Sequence, residues 1–115
     1  MTHAAEFWID IGALDDIPPQ GARVVKTSLG CAAIFRTATD EVFALDDRCP
    51  HKGGPLSEGI VHGAQVTCPL HAWVFSLETG HAQGADEGSV GTYPVRVEAG
   101  RILLDTRRLA RRAAA

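Results

Sequence analysis

The 115-residue chain lacks any apolar run close to the roughly 20 residues that a membrane-crossing helix needs. It also lacks an excess of basic residues, since 11 Lys and Arg stand against 14 Asp and Glu and leave a net charge of -3. Nucleic-acid-binding domains are usually basic, so this charge argues against that class. Residues 1–6 show no secretory signal. We therefore expect a cytoplasmic protein with no membrane contact and no nucleic-acid partner.

Nucleotide-binding motifs are absent as well. No Gly-x-Gly-x-x-Gly follows a predicted strand, no phosphate-binding loop is present, and the spacing of Gly84, Gly88 and Gly91 fits neither motif. A chain of this length forms one core and has little room for a substrate pocket beside it. We expect no nicotinamide-nucleotide site and no catalytic residues in this chain.

Long helical periods are scarce, and short β-rich runs alternate with turns that use 12 glycines and 6 prolines. This pattern is typical of a small all-β sandwich or barrel. Cys31 stands in one such run and is expected to be a small buried core residue. The basic tail, residues 106–115, predicts a short helix or a frayed end. The predicted strands are 7–11, 22–26, 31–35, 42–45, 60–61, 65–67, 73–77, 93–98 and 101–104.

Three cysteines are an odd set, which argues against a disulfide-stapled secreted domain. Two of them stand in short arms with a histidine, Cys49 with His51 and Cys68 with His71. A proline directly after each cysteine stiffens its arm. Two such arms facing each other would make a pocket of two thiolates and two imidazoles.

A structural zinc ion and a [2Fe–2S] cluster could both use this donor set. Common zinc modules place two cysteines in one arm and two histidines in the other, whereas both arms are mixed here. A cluster with thiolates on one iron and imidazoles on the other suits two arms that each supply one ligand to each iron. The order therefore favours iron and sulfide, and a zinc-stabilised interaction module remains as the alternative.

The C-x-H and C-x-x-H arms resemble the Rieske iron–sulfur motif, and CPLHAWVFSLETG at 68–80 is similar to the second cluster loop of Rieske ferredoxins and oxygenase domains. The resemblance covers about residues 7–105. It implies a Rieske-type antiparallel β-sandwich in a single domain, residues 1–105, with a small inserted cluster-binding subdomain at about 47–80.

The same resemblance implies one [2Fe–2S] cluster in each chain, with Cys49 and Cys68 on the inner iron and His51 and His71 on the outer iron. High-potential Rieske proteins join their two loops by a disulfide, at positions that resemble Gly54 and Leu70 here. They also place hydroxyl groups near the cluster, at positions that resemble Trp73 and Phe75. Fewer donors to the sulfurs predict a potential at the low end of the Rieske span of roughly −150 to +300 mV.

A narrower resemblance rests on HKGGPLSEGIVHG at 51–63 and QGADEGSV at 83–90, which are similar to the small subunit of NADH-dependent assimilatory nitrite reductase. It implies a one-electron carrier for a large subunit that holds flavin, sirohaem and a [4Fe–4S] centre and reduces nitrite to ammonium in nitrate assimilation. The chain would then be part of an oxidoreductase, without an NADH or nitrite site of its own. The alternative is a free-standing ferredoxin that serves an aromatic-ring dioxygenase.

The remaining polar residues and glycines have simpler interpretations. His62 and His81 are expected at the surface rather than as metal ligands. Gly53, Gly54 and Gly80 either make turns or donate their backbone N–H groups to the cluster. Paired acidic residues in predicted loops are expected to be solvated, with a docking patch for a basic partner as the alternative; they are Asp15-Asp16, Asp46-Asp47 and Asp86-Glu87.

Overall fold

The computed structural model describes residues 8–27, 30–47, 55–69, 72–84, 88–105 and 107. Every strand pair in this part of the chain is antiparallel, which confirms the predicted all-β class. Two 3₁₀ turns, Leu14–Asp16 and Leu56–Glu58, connect strands. The strands are β1 (Trp8–Ala13), β2 (Ala22–Thr27), β3 (Gly30–Arg36), β4 (Val42–Asp46), β5 (Ile60–His62), β6 (Gln65–Thr67), β7 (Val74–Ser76), β8 (Thr92–Tyr93), β9 (Val95–Glu98) and β10 (Arg101–Asp105).

The strands form three sheets, ordered β1-β10-β9, β2-β3-β4-β8 and β5-β6-β7. The first sheet joins the two ends of the described chain, because β1 pairs with β10. Arg101 on β10 donates two hydrogen bonds to Asp10 on β1, at 3.0 and 2.9 Å. These bonds, with the one from the Gly12 N–H, lower the pKa of the Asp10 carboxyl below its ordinary value. The third sheet lies in the sequence between β4 and β8 of the second.

The second sheet is buried on both faces. Successive side chains of β3 point to opposite sides, so Ala33 and Phe35 pack towards β5–β7 while Ala32 and Ile34 pack towards the first sheet. All four are fully buried, which explains why this strand is a continuous apolar run. The cluster on the β5–β7 side comprises Ala33, Phe35, Leu45, Leu56, Val61, Val66, Cys68, Phe75, Leu77 and Val90. The cluster on the other side comprises Ile17, Ala32, Ile34, Ala44, Tyr93, Ile102 and Leu104.

Two predictions from the strand pattern were wrong. The predicted strand 93–98 is two strands in different sheets, because Pro94 between them has no N–H for a ladder. Cys31 is exposed rather than part of the core. It lies near the beginning of β3, one residue before the fully buried stretch begins at Ala32.

The basic tail falls outside the described residues apart from Arg107. The backbone N–H of Arg107 donates to the Asp105 carboxylate at 2.9 Å, and its Nε donates to the same group at 3.0 Å. Asp105 is buried, so these charge-assisted bonds help to satisfy a carboxylate that water does not reach. In the part of the chain that the structure describes, no helix is long and apolar enough to cross a membrane.

The left-handed glycines offer a direct test of this packing. Gly80 has a φ of +77°, and a Cβ at this position would lie 2.2 Å from the Val90 carbonyl oxygen. Gly63 has a φ of +57°, and a Cβ at this position would meet no other part of the protein within 4 Å. Gly80→Ala should therefore lower the free energy of unfolding by about 3 kcal/mol, and Gly63→Ala by about 1 kcal/mol. Urea denaturation of both variants measures the difference, and equal losses would contradict the close approach at Gly80.

Candidate metal centre

The second predicted arm begins at Cys68, directly after β6. The Cys68 backbone N–H donates to the Trp73 carbonyl at 2.7 Å, and the Cys68 carbonyl accepts from the Ala72 N–H at 3.1 Å. Ala72 adopts a φ of 59°, a left-handed conformation that alanine seldom takes. These bonds join the two ends of the arm and fix the direction in which the chain enters β7.

The Cys68 side chain has the environment that a buried thiolate ligand requires. It is only 2% exposed, it packs with Leu56 and Phe75, and it is not in a disulfide. The residue also lines an open pocket of about 460 Å³, together with residues that include Ile60 and Pro69. A dry thiol beside an accessible pocket fits a soft metal ligand, so the described part of this arm fits an iron–sulfur cluster.

The other three predicted ligands, Cys49, His51 and His71, lie outside the described residues. Among the residues that are described, no three His, Cys, Asp or Glu side chains come together as a metal site. Gly53 and Gly54, and the acidic pair Asp86-Glu87, lie outside the described residues as well.

The first predicted arm leaves β4 at Asp47, and this residue is not the solvated carboxylate that the sequence suggested. Asp47 is half-buried, and it accepts hydrogen bonds from the backbone N–H and the hydroxyl of Ser57, at 2.7 and 2.9 Å. Its own N–H donates to the Cys31 carbonyl at 3.3 Å. The carboxylate therefore joins the end of β4 to the 3₁₀ turn on the far side of the arm.

Asp46 makes a second connection, on the opposite side of β4. Its N–H donates to the Gly91 carbonyl at 2.8 Å, and its carboxylate accepts from the Gly91 N–H at 3.1 Å and from the Tyr93 hydroxyl. The alternation of side chains along β4 could have predicted this contact. Asp46 lies two residues after buried Ala44 and therefore faces the same side of the sheet. The solvated interpretation of this acidic pair was wrong for both residues.

Other predicted residues behave largely as structural groups. Phe75 is fully buried, and its ring centroid lies 6.2 Å from that of Trp73. The Gly80 N–H donates to the Ser76 carbonyl at 2.8 Å, so the turn role is confirmed and the donor role is wrong. His62 is half-buried, with Nε2 2.8 Å from the Thr67 hydroxyl oxygen, and His81 is exposed.

Comparison with known proteins identifies the fold and its cofactor. The family model of the Rieske-like [2Fe-2S] domain matches residues 7–105. The chain belongs to this family. A Rieske [2Fe–2S] cluster is accordingly its cofactor, and one-electron transfer to or from an oxidoreductase partner is its function.

Individual Rieske relatives include two groups of small electron carriers. The chain is 35% identical over 101 residues to the ferredoxin component of a naphthalene 1,2-dioxygenase system from Pseudomonas aeruginosa, covering 87% of this chain and 96% of that protein. It is also similar to a putative NADH-dependent nitrite reductase small subunit from Mycobacterium tuberculosis, with a TM-score of 0.77, 30% identity and coverage of 84% and 92%. The ferredoxin of carbazole 1,9a-dioxygenase from Nocardioides aromaticivorans gives the same TM-score at 25% identity, with coverage of 85% and 96%. The fold is common to both groups.

The bond between Tyr93 and Asp46 leads to a prediction about the Rieske domain. Tyr93→Phe removes the hydroxyl that donates to a half-buried carboxylate, while the Gly91 N–H remains. We expect a loss of about 1.5–3 kcal/mol in the free energy of unfolding. Ser89→Ala, which removes an exposed hydroxyl, should change it by less than about 0.5 kcal/mol. Chemical denaturation of both variants is the measurement, and similar values for the two would count against this bond.

Proposed function

We propose that this chain is the small subunit of NADH-dependent assimilatory nitrite reductase, a one-electron carrier with a low-potential Rieske cluster. The observation that supports this proposal is that two loop segments of the sequence and a similar solved structure both point to this subunit. The segments at 51–63 and 83–90 resemble that subunit. The similar structure from Mycobacterium tuberculosis is named as a putative NADH-dependent nitrite reductase small subunit and matches over 84% of this chain.

The ligands in this proposal are Cys49 and Cys68 on the inner iron and His51 and His71 on the outer iron. The cluster supplies a site that gains and loses one electron at a time. Cys68 supports this assignment, because it is a buried residue and lines the open pocket. Its backbone is held by hydrogen bonds with Trp73 and Ala72, which fixes the main-chain position from which the side chain extends.

A low potential is supported by the side chains around the second arm. Phe75 is fully buried and carries no hydroxyl, and it lies in the same apolar cluster as Cys68. Hydrogen bonds to cluster sulfurs stabilise the reduced, more negative state and raise the potential. An apolar ring at this position withholds one such bond, which suits a carrier that receives electrons from a nicotinamide or flavin donor.

The carrier role also requires a partner that holds the substrate sites. We propose that this partner is the large subunit with flavin, sirohaem and [4Fe–4S] centres, in the cytoplasm. The second candidate is a ferredoxin for an aromatic-ring dioxygenase. It is favoured by the 35% identity to the naphthalene dioxygenase ferredoxin, of which this chain covers 96%.

The ligand assignment predicts opposite outcomes for two cysteines. Cys68→Ala should abolish cluster binding, because a buried thiolate is removed from the donor set. Cys31→Ala should bind a full cluster, because this exposed cysteine belongs to neither arm. Iron and acid-labile sulfide are measured after anaerobic purification, together with the EPR spectrum on reduction. A full cluster in Cys68→Ala, or one zinc and no iron in the unaltered protein, would contradict the assignment.

The partner assignment is tested by co-purification and electron transfer. The tagged chain should retain a large sirohaem protein from its own cells, and adding it back should raise NADH-dependent nitrite reduction by that protein at least about tenfold. The Cys68→Ala variant serves as the control that lacks the cluster. Efficient reduction of an aromatic-ring oxygenase, with no effect on nitrite reduction, would select the dioxygenase ferredoxin instead.

A further inference from the structure

Asp47 uses both of its carboxylate oxygens on a single residue across the first arm. Oδ1 accepts from the Ser57 backbone N–H at 2.7 Å, and Oδ2 accepts from the Ser57 hydroxyl at 2.9 Å. Hydrogen bonds to an ionised acceptor are roughly twice as strong as those between neutral groups, and both groups here are half-buried. The pair therefore forms a strong and directional connection.

Both ends of this connection are themselves anchored. On one side, Asp47 follows β4 directly, and its N–H donates to the Cys31 carbonyl on β3. On the other side, Ser57 follows Leu56, whose fully buried side chain packs in the same cluster as Cys68. The 3₁₀ turn around Ser57 is closed by the Gly59 N–H, which donates to the Leu56 carbonyl at 2.9 Å. Asp47 and Ser57 therefore lie within hydrogen-bond distance because the core fixes the position of each.

The chain between the two partners includes the first predicted ligand arm, with Cys49 and His51. We propose that Asp47 is a positioning residue for this arm, acting through Ser57 to hold its two ends together for cluster binding. The inference rests on the proposed assignment of Cys49 and His51 as ligands. A connection that holds the ends of a loop together lowers the entropy that the loop loses when its ligands bind a metal.

Asp47 acts by positioning and not as a ligand. Both of its oxygens already accept hydrogen bonds from Ser57, and a carboxylate is a poorer match than a thiolate or an imidazole for an iron–sulfur cluster. Replacing Asp47 should therefore shorten the time for which the cluster is retained and alter the symmetry of the metal site. The number of irons bound at the start should stay the same.

The test compares Asp47→Ala with Asp16→Ala in the full chain carrying its cluster. Asp16 is a suitable control because its carboxylate also accepts a backbone hydrogen bond, from the Ala13 N–H at 2.9 Å, in a 3₁₀ turn outside the arms. Iron release to an excess of a ferrous chelator under reducing anaerobic conditions is followed by absorbance. We expect release from Asp47→Ala to be about tenfold faster than from the unaltered protein, and release from Asp16→Ala to be within about twofold of it.

Graded variants of the partner keep the test decisive if Asp47→Ala folds poorly. Ser57→Ala removes the hydroxyl bond and keeps the backbone bond, so it should accelerate release by about threefold. Ser57→Thr restores the hydroxyl and should return the rate to within about twofold of the unaltered protein. The EPR g-values of the reduced cluster should shift in Asp47→Ala and Ser57→Ala and return in Ser57→Thr.

Two results would overturn the positioning role. One is release from Asp47→Ala and Ser57→Ala at the rate of the unaltered protein. The other concerns Gly63→Ala, compared with Asp47→Ala under conditions in which both variants have lost the same free energy of unfolding. Equal acceleration of iron release in the two variants, with unchanged EPR spectra, would reflect general destabilisation.

The ligand assignment is tested separately by Cys49→Ala. Loss of iron from this variant supports the assignment on which the inference rests, and full retention of iron overturns both. Wild-type release from Asp47→Ala together with loss of iron from Cys49→Ala would overturn the positioning role alone. Each measurement uses the isolated chain, so the outcome does not depend on which oxidoreductase is the partner.

Discussion

The sheet β2-β3-β4-β8 is the constraint on which the rest of the molecule depends. Its strand β3 has Ala33 and Phe35 in one core and Ala32 and Ile34 in the other, and all four are fully buried. Slipping the pairing by one residue would exchange the two sets, moving Phe35 out of its place in one core and Ile34 out of its place in the other. The register is therefore fixed on both faces. The place where β4 ends, and where the first predicted ligand arm begins, is fixed with it.

The two arms depend on this sheet in different ways. The second arm is closed by backbone hydrogen bonds between Cys68 and the residues Trp73 and Ala72, directly after a strand that packs on the sheet. The first arm begins where β4 stops and is closed by a side chain, through the bonds from Ser57 to Asp47. Backbone bonds depend weakly on residue type, whereas the carboxylate can be replaced by mutation. The first arm is therefore the one in which positioning can be altered without changing a ligand.

Much of the fold, and the chemistry of the site, could be predicted from the sequence, because both rest on local patterns. Short β-rich runs between turn residues located most of the strands, and the order and spacing of the Cys–His arms indicated the cofactor. The failures came where a distant partner decides the outcome. In the sequence, Asp46 and Asp47 resemble a solvated pair. In the structure, β8 places Tyr93 beside Asp46, and the core places Ser57 beside Asp47. Cys31 sits in an apolar run, and only the pairing of β3 shows that the core begins one residue later.

The choice of partner depends on the surface of the molecule rather than on its fold. Dioxygenase ferredoxins and nitrite reductase small subunits are both similar to this chain over most of its length, so the shared fold cannot by itself choose the partner. Selection between partners must then come from side chains that the fold does not require. Beside the pocket at Cys68, Val61 is buried in the core while Ile60 is 70% exposed. Burial constrains Val61, whereas Ile60 can vary without cost to the core. Exposed positions such as Ile60 are where specificity for a partner can evolve.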